Sequence, residues 1–409
     1  MSGHSGSWRE IYQSSPTPLV RLSDDEFSLY VNRNGLPAEY AEQIRAKPVS
    51  GTLRMQIPAK NFGRNIRIRL SNEESGAPMV IGGASASLSN LPRFNAHITF
   101  DGEPGIALPP GAPAISDPID LPDNCDGQLV LSFYIPGEIM VGGFGKCPVE
   151  VAPGNQLFAE RLDDPKSYII RPFVSAISRI ARPCDPVIAT FGDSLTDANC
   201  NFPESWPDYL LQRLSKADPE LRWNLSNAGI GGNRLLTSGA EPDMGTAGLA
   251  RLERDILRID GLSHVIVLLG INDILLSDAT EAGEIPLVRP EALIAGYRQV
   301  LTRVRLRGAK AVFGTLTPFN GSAYFTSERE AFRQAVNMWM RSSGEPDAVI
   351  DFDESVRDGD QPSRLLPVYD LGDCLHFSEA GSRALAAKID LAIFASHSFF
   401  RDRDDQDHY

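Results

Sequence analysis

Eleven residues, Val187-Ile-Ala-Thr-Phe-Gly-Asp-Ser-Leu-Thr-Asp197, limit the folds open to this chain more than any other stretch. The first half is apolar and partly β-branched, as in a strand covered on both faces. Gly192 breaks the run, and Asp193, Ser194 and Thr196 are residue types that hold turns or cap helices. In an open parallel sheet, ligands bind outside the carboxyl ends of the strands. Ser194 is therefore a candidate nucleophile; its structural alternative is a cap for the next helix.

The chain downstream of Asp197 fits that sheet. Strand patterns at Val187–Phe191, Trp223–Asn227, His264–Leu269, Ala309–Thr315 and Ala348–Phe352 alternate with helical stretches at 204–216, 246–260, 290–307, 326–342 and 378–395. Strand–helix alternation predicts a doubly wound parallel sheet with helices on both faces. Upstream the character differs. Leu53-Arg-Met-Gln-Ile-Pro and Ile66-Arg-Ile-Arg-Leu alternate apolar with polar residues, and short strand candidates recur at 79–84, 96–100, 127–135 and 168–177 between Gly/Pro/Asp clusters. That pattern predicts an antiparallel β-sandwich or jelly roll. Residues 1–50 carry few periodic signals. The expected division is a β-sandwich domain over 1–180, an α/β domain over 184–400 and a frayed tail over 401–409, two domains being expected for 409 residues. The Ile177–Pro186 junction is short and partly apolar, so the two domains are expected to pack together.

Composition narrows the function. The net charge of −14 argues against a nucleic-acid binder and against docking on anionic lipid. Met1–Glu10 has no secretory pattern and no apolar run reaches membrane-spanning length, so the expectation is a cytoplasmic protein without membrane insertion. A removed signal peptide would make it periplasmic or secreted. The five cysteines, Cys125, Cys147, Cys184, Cys200 and Cys374, include no Cys-x-x-Cys, so no metal site is expected. Cys125 and Cys147 are read as free thiols, to be bridged only on export.

A nucleophilic serine needs a base, and histidine suits working pH. Of the six histidines, His4 and His408 are terminal, His97 lies among the upstream strands, His264 opens a strand at the wrong edge and His397 closes the last helix. His376 remains, in a loop with Asp373 three residues earlier, where one turn can bring the carboxylate to the imidazole. A loop histidine bonded to a nearby acid is the bland alternative, and Asp370 is the next carboxylate in line. Two further strand ends offer donors for an oxyanion. Asn227-Ala-Gly-Ile-Gly-Gly-Asn-Arg supplies Gly229, Gly231 and Gly232, and Val265-Ile-Val-Leu-Leu-Gly-Ile-Asn-Asp supplies the Asn272 amide.

These blocks resemble those of the GDSL, or SGNH, hydrolases: Gly192-Asp-Ser-Leu195, Asn227-Ala-Gly-Ile-Gly-Gly232, Gly270-Ile-Asn-Asp273 and Asp373-Cys-Leu-His376. The resemblance covers roughly residues 184–396 and, more loosely, the sandwich ahead of larger members. It implies a three-layer α/β/α, flavodoxin-like domain. It further implies Ser194 as nucleophile, His376 as base and Asp373 as its orienting acid. The implied oxyanion hole is the backbone N–H groups of Ser194 and Gly232 with the Asn272 side chain. No cofactor is implied. The implied reaction is hydrolysis of a short-acyl or acetyl ester, carbohydrate esters included, through an acyl-enzyme. A thioesterase or lysophospholipase on the same triad, and a non-catalytic glycan binder, are the rivals.

Overall fold

The Val187–Gly192 strand lies inside a five-stranded parallel sheet, paired on one side with Asn224–Asn227 and on the other with Leu262–Leu268. Lys310–Gly314 and then Ala348–Ile350 extend the sheet beyond Leu262–Leu268. The computed structural model describes residues 7–19, 23–34, 45–58, 62–122, 127–197, 204–238, 244–276 and 288–400. Every residue of Val187–Gly192 is buried, which is why its sequence is apolar without alternation. The strand order reverses on either side of it, so its carboxyl end opens at the switch point where such sheets bind ligands.

The helices fall into two contacting groups. Trp206–Ala217 packs on Glu379–Lys388, and Pro290–Leu306 packs on Ser327–Ser342 and Gly248–Leu252. Two differ from expectation. The stretch expected as one helix over 246–260 is a short helix, Gly248–Leu252, running into a π-turn, Glu253–Leu257. Within it, Arg251 and Asp255 form a fully buried ion pair at 2.9 Å. The last helix stops at Lys388, where Ile389 turns extended. Asp390 then accepts the Ala392 N–H and starts a separate 3-10 segment, Leu391–Phe400.

Upstream, pairing is antiparallel throughout the described strands. One sheet contains Ser7–Gln13, Val174–Ala181, Asn65–Ser71 and Pro113–Ile115; the other contains Lys166–Arg171, Gln128–Ala152, Gly83–Leu88, Leu91–Ile98 and Lys47–Pro58. Ile66, Ile68 and Ile177 from the first sheet and Leu53, Leu131 and Phe133 from the second share one apolar core. The change to parallel pairing falls between Ala181 and Val187. The expected tail, Cys125 and Cys200 lie outside the described residues; Cys184 and Cys374 are free thiols.

Ser7–Gln13 and the helix Asp24–Asn34 arise where the sequence carried few periodic signals. The strand buries Arg9, Glu10 and Gln13 against the parallel-sheet domain. Arg9 Nε donates to Asp185 O at 2.7 Å, Ser226 Oγ to Glu10 Oε1 at 2.6 Å and Gln13 Nε2 to Asp255 O at 3.0 Å. Burial of polar side chains by long-range partners leaves no hydropathy pattern to read. The helix adds an apolar contact, Phe27 and Val31 packing with Met244 and Leu276. The antiparallel part is thus fastened to the parallel domain by polar ties and one small apolar cluster.

Candidate active site

Three strand ends and one loop assemble the site. After Val187–Gly192 the chain makes a single tight turn in which Asp193 O accepts the N–H groups of Thr196 and Asp197 at 3.0 and 2.9 Å. Gly192 is required at its start, because a Cβ there would sit 2.2 Å from Thr196 Oγ1 and 2.8 Å from Leu268 O. The turn leaves Ser194 partly exposed between buried neighbours.

Ser194 Oγ lies 2.9 Å from His376 Nε2, and His376 Nδ1 lies 2.5 Å from Asp373 Oδ2. The Asp373 turn closes as the spacing of three predicts. Asp373 Oδ1 accepts the His376 and Leu375 N–H groups at 2.8 and 3.0 Å, and Cys374 between them adopts a left-handed backbone (φ 61) uncommon for a residue with a side chain. Partial burial opposes ionisation of Asp373, but its bonds to His376 and to the two N–H groups outweigh it and hold the carboxyl well below its usual range. Asp370 does not reach the imidazole; its Oδ1 accepts from Gly372 and Cys374 N–H. The other described histidine rings pack on phenylalanines, His97 on Phe158 and buried His264 on Phe394.

The donors expected for an oxyanion differ in what already occupies them. No described acceptor takes the N–H of Ser194 or of Gly232. Gly229 N–H is spent on Asn227 Oδ1 at 2.9 Å, which removes it as a donor. Gly232 adopts a left-handed backbone (φ 69), and a Cβ there would lie 2.7 Å from Met244 Cγ. Asn272 is buried and gives one amide proton to Asn233 O at 3.1 Å; the second has no described acceptor. The neighbouring Asp273 ties the loops together, accepting Leu235 and Leu236 N–H at 2.7 and 2.9 Å, while burial pushes its pKa up to about 6.

Sequence reasoning missed the group that holds these parts in register. Fully buried Arg251 donates to Gly192 O at 3.1 Å, Ala228 O at 2.8 Å and Asn233 Oδ1 at 3.0 Å, with its guanidinium 4.5 Å from the Phe191 ring. It links the serine turn, the glycine turn and, through Asn233, the Asn272 amide. Burial lowers its pKa to about 10, so it stays charged at neutral pH. An arginine on a helical pattern reads as solvent-facing, and no local signal marks this one. Asp193 is buried as well. Its Oδ1 accepts Leu195 N–H at 3.0 Å, its Oδ2 has no described partner, and burial pushes its pKa up to about 7.

A partly exposed hydroxyl bonded to an imidazole that is bonded to a carboxylate, beside unspent N–H donors, is equipped for acyl transfer. No curated protein matches the chain. Among solved structures, an aryl esterase from M. smegmatis is 17% identical, covers 53% of this chain and 99% of its own, and has a TM-score of 0.38. A catalytic mutant of an acetylxylan esterase from Geobacillus stearothermophilus is 19% identical, covers 51% and 93%, and has a TM-score of 0.39. A protein assigned to the G-D-S-L family from Desulfitobacterium hafniense is 17% identical, covers 49% and 96%, and has a TM-score of 0.37. The model of the GDSL-like lipase/acylhydrolase family matches residues 190–384, a span that contains Ser194, Gly232, Asn272, Asp373 and His376, and the chain therefore carries a domain of that family.

Proposed function

We propose that this acylhydrolase is a serine esterase acting on short-acyl or acetyl esters of soluble substrates, carbohydrate esters included. The observation that carries the reading is the continuous hydrogen-bonded row Ser194–His376–Asp373, at 2.9 and 2.5 Å. Ser194 Oγ attacks the ester carbonyl while His376 Nε2 takes its proton. Asp373 holds the ring with Nδ1 protonated and stabilises the imidazolium. Negative charge growing on the carbonyl oxygen is met by the N–H groups of Ser194 and Gly232 and the spare Asn272 amide proton. His376 then gives its proton to the leaving alcohol. A water molecule, deprotonated by the same nitrogen, releases the acid from Ser194. The preference for a soluble substrate rests on the net charge of −14, which opposes an anionic lipid surface.

The test pairs a fluorophosphonate probe with p-nitrophenyl esters of increasing chain length and acetylated sugars. Wild-type protein should be labelled and should turn over the shortest esters fastest. Ser194→Ala should remain folded, escape labelling and lose several orders of magnitude in turnover. Turnover by Ser194→Ala within a few-fold of wild type would refute the nucleophile, and an unlabelled wild-type protein would favour a binding role.

A further inference from the structure

The serine turn is gripped from both domains. Inside the parallel-sheet domain, Arg251 holds Gly192 O and Asn227 Nδ2 donates to Thr196 O at 2.9 Å. The far end of the turn is Asp197, whose N–H closes it on Asp193 O. The Asp197 carboxylate is held from outside that domain. Arg171 Nη2, at the end of the antiparallel strand Lys166–Arg171, donates to Asp197 Oδ2 at 2.6 Å. The two side chains are only 2% and 9% exposed, so the pair is shielded from solvent screening. The arginine is itself fixed, with Nη1 3.2 Å from both Ser14 Oγ and Ser15 O. From Asp197 the constraint passes to the glycine turn: a Cβ on Gly229 would sit 2.6 Å from Asp197 N, so the two backbones are in direct contact.

We infer that Arg171 is a positioning residue for the hydrolytic reaction, supplied by the antiparallel domain to hold the Ser194 turn in register with His376 and the oxyanion donors. This rests on the esterase reading of the site. Arg171 acts through Asp197 and touches no reacting atom. Its contribution is geometric, and small displacements of a reacting group are costly: about 1 Å is worth about a hundred-fold in rate. The antiparallel domain is then part of the catalytic machinery, through a contact three residues from the nucleophile.

A double-mutant cycle on the full-length chain decides it. Arg171→Met, Asp197→Asn, the double variant and Arg171→Lys are compared by kcat, KM, the rate of fluorophosphonate labelling and Tm, with kinetics measured well below the lowest Tm. The expected result is a fall of about ten- to a hundred-fold in kcat and in labelling rate for either single variant, with KM changed by less than about three-fold. The double variant should be no worse than the poorer single variant, and Arg171→Lys should recover part of the rate because it restores the charge. If Arg171→Met does not fold, Asp197→Asn and Arg171→Lys carry the comparison. Lowered Tm with wild-type kcat and labelling rate would overturn the inference and leave the esterase reading intact. Wild-type protein that neither hydrolyses esters nor takes the probe would overturn both.

Discussion

Asp193→Asn isolates the effect of one buried charge beside the nucleophile. The carboxyl is 1% exposed, with one oxygen bonded to Leu195 N–H and the other without a described partner. Burial raises its pKa from 3.8 to about 7. An unfolded chain ionises this group near 3.8, whereas the folded chain keeps it neutral until about 7. Between those values folding takes up a proton, so stability falls as pH rises and the penalty is complete above about pH 7. At about 1.4 kcal/mol per pH unit, the interval from 3.8 to about 7 corresponds to about 4 kcal/mol. Asparagine matches the neutral acid in shape and presents a donor where the protonated acid has its O–H, so the substitution removes the charge and little else. The expected result is nearly equal stability of Asp193→Asn and wild type at pH 4, and a gain by the variant that grows to about 4 kcal/mol, or about 5 °C in Tm for a chain of this length unfolding as one unit, by pH 8. Thermal and urea melts at pH 4, 6 and 8 on the Ser194→Ala background make the measurement independent of turnover. A Tm difference that does not change with pH, or a variant less stable than wild type at pH 8, would refute the reasoning.

Asn272→Ala should lower kcat by about a hundred- to a thousand-fold with KM nearly unchanged, as loss of one oxyanion donor does, and a large fall in Tm with full activity at low temperature would instead make the amide a structural tie to Asn233. Asp373→Asn should cut kcat strongly at every pH, because an amide favours the wrong tautomer and cannot stabilise the imidazolium; activity close to wild type would pass the role to another group. Since the wild-type Asp373 pKa is depressed, its stabilising contribution is present above about pH 4 and disappears only as pH falls through the folded value, so melts should show no Asp373-dependent loss between pH 5 and 8. A chain starting at Ala181 should fail to accumulate as a stable monomer, because buried Ser226 loses Glu10, and Arg258 and Arg254 lose Glu10 and Glu74; recovery of that fragment with wild-type kinetics would refute the interdependence of the two domains.

Local pattern alone dictated the parallel sheet, its five strands and the three-residue turn that brings Asp373 onto His376. These depend on short-range periodicity and on residue types whose local conformations are narrow. The same pattern singled out Asn272, because a polar side chain after a run of apolar residues is costly unless used. It offered three glycines as oxyanion donors; in the folded chain the Gly229 N–H is bonded to Asn227, while Gly232 takes a left-handed conformation against Met244, a distinction no local pattern carries. The strand Ser7–Gln13 was illegible because its buried face is Arg9, Glu10 and Gln13, made tolerable only by partners more than 170 residues away. Arg251 and Arg171 were hidden for the same reason. A buried guanidinium is stable only where fixed carbonyls and carboxylates converge on it, and that convergence exists only after strands distant in the chain have been brought side by side.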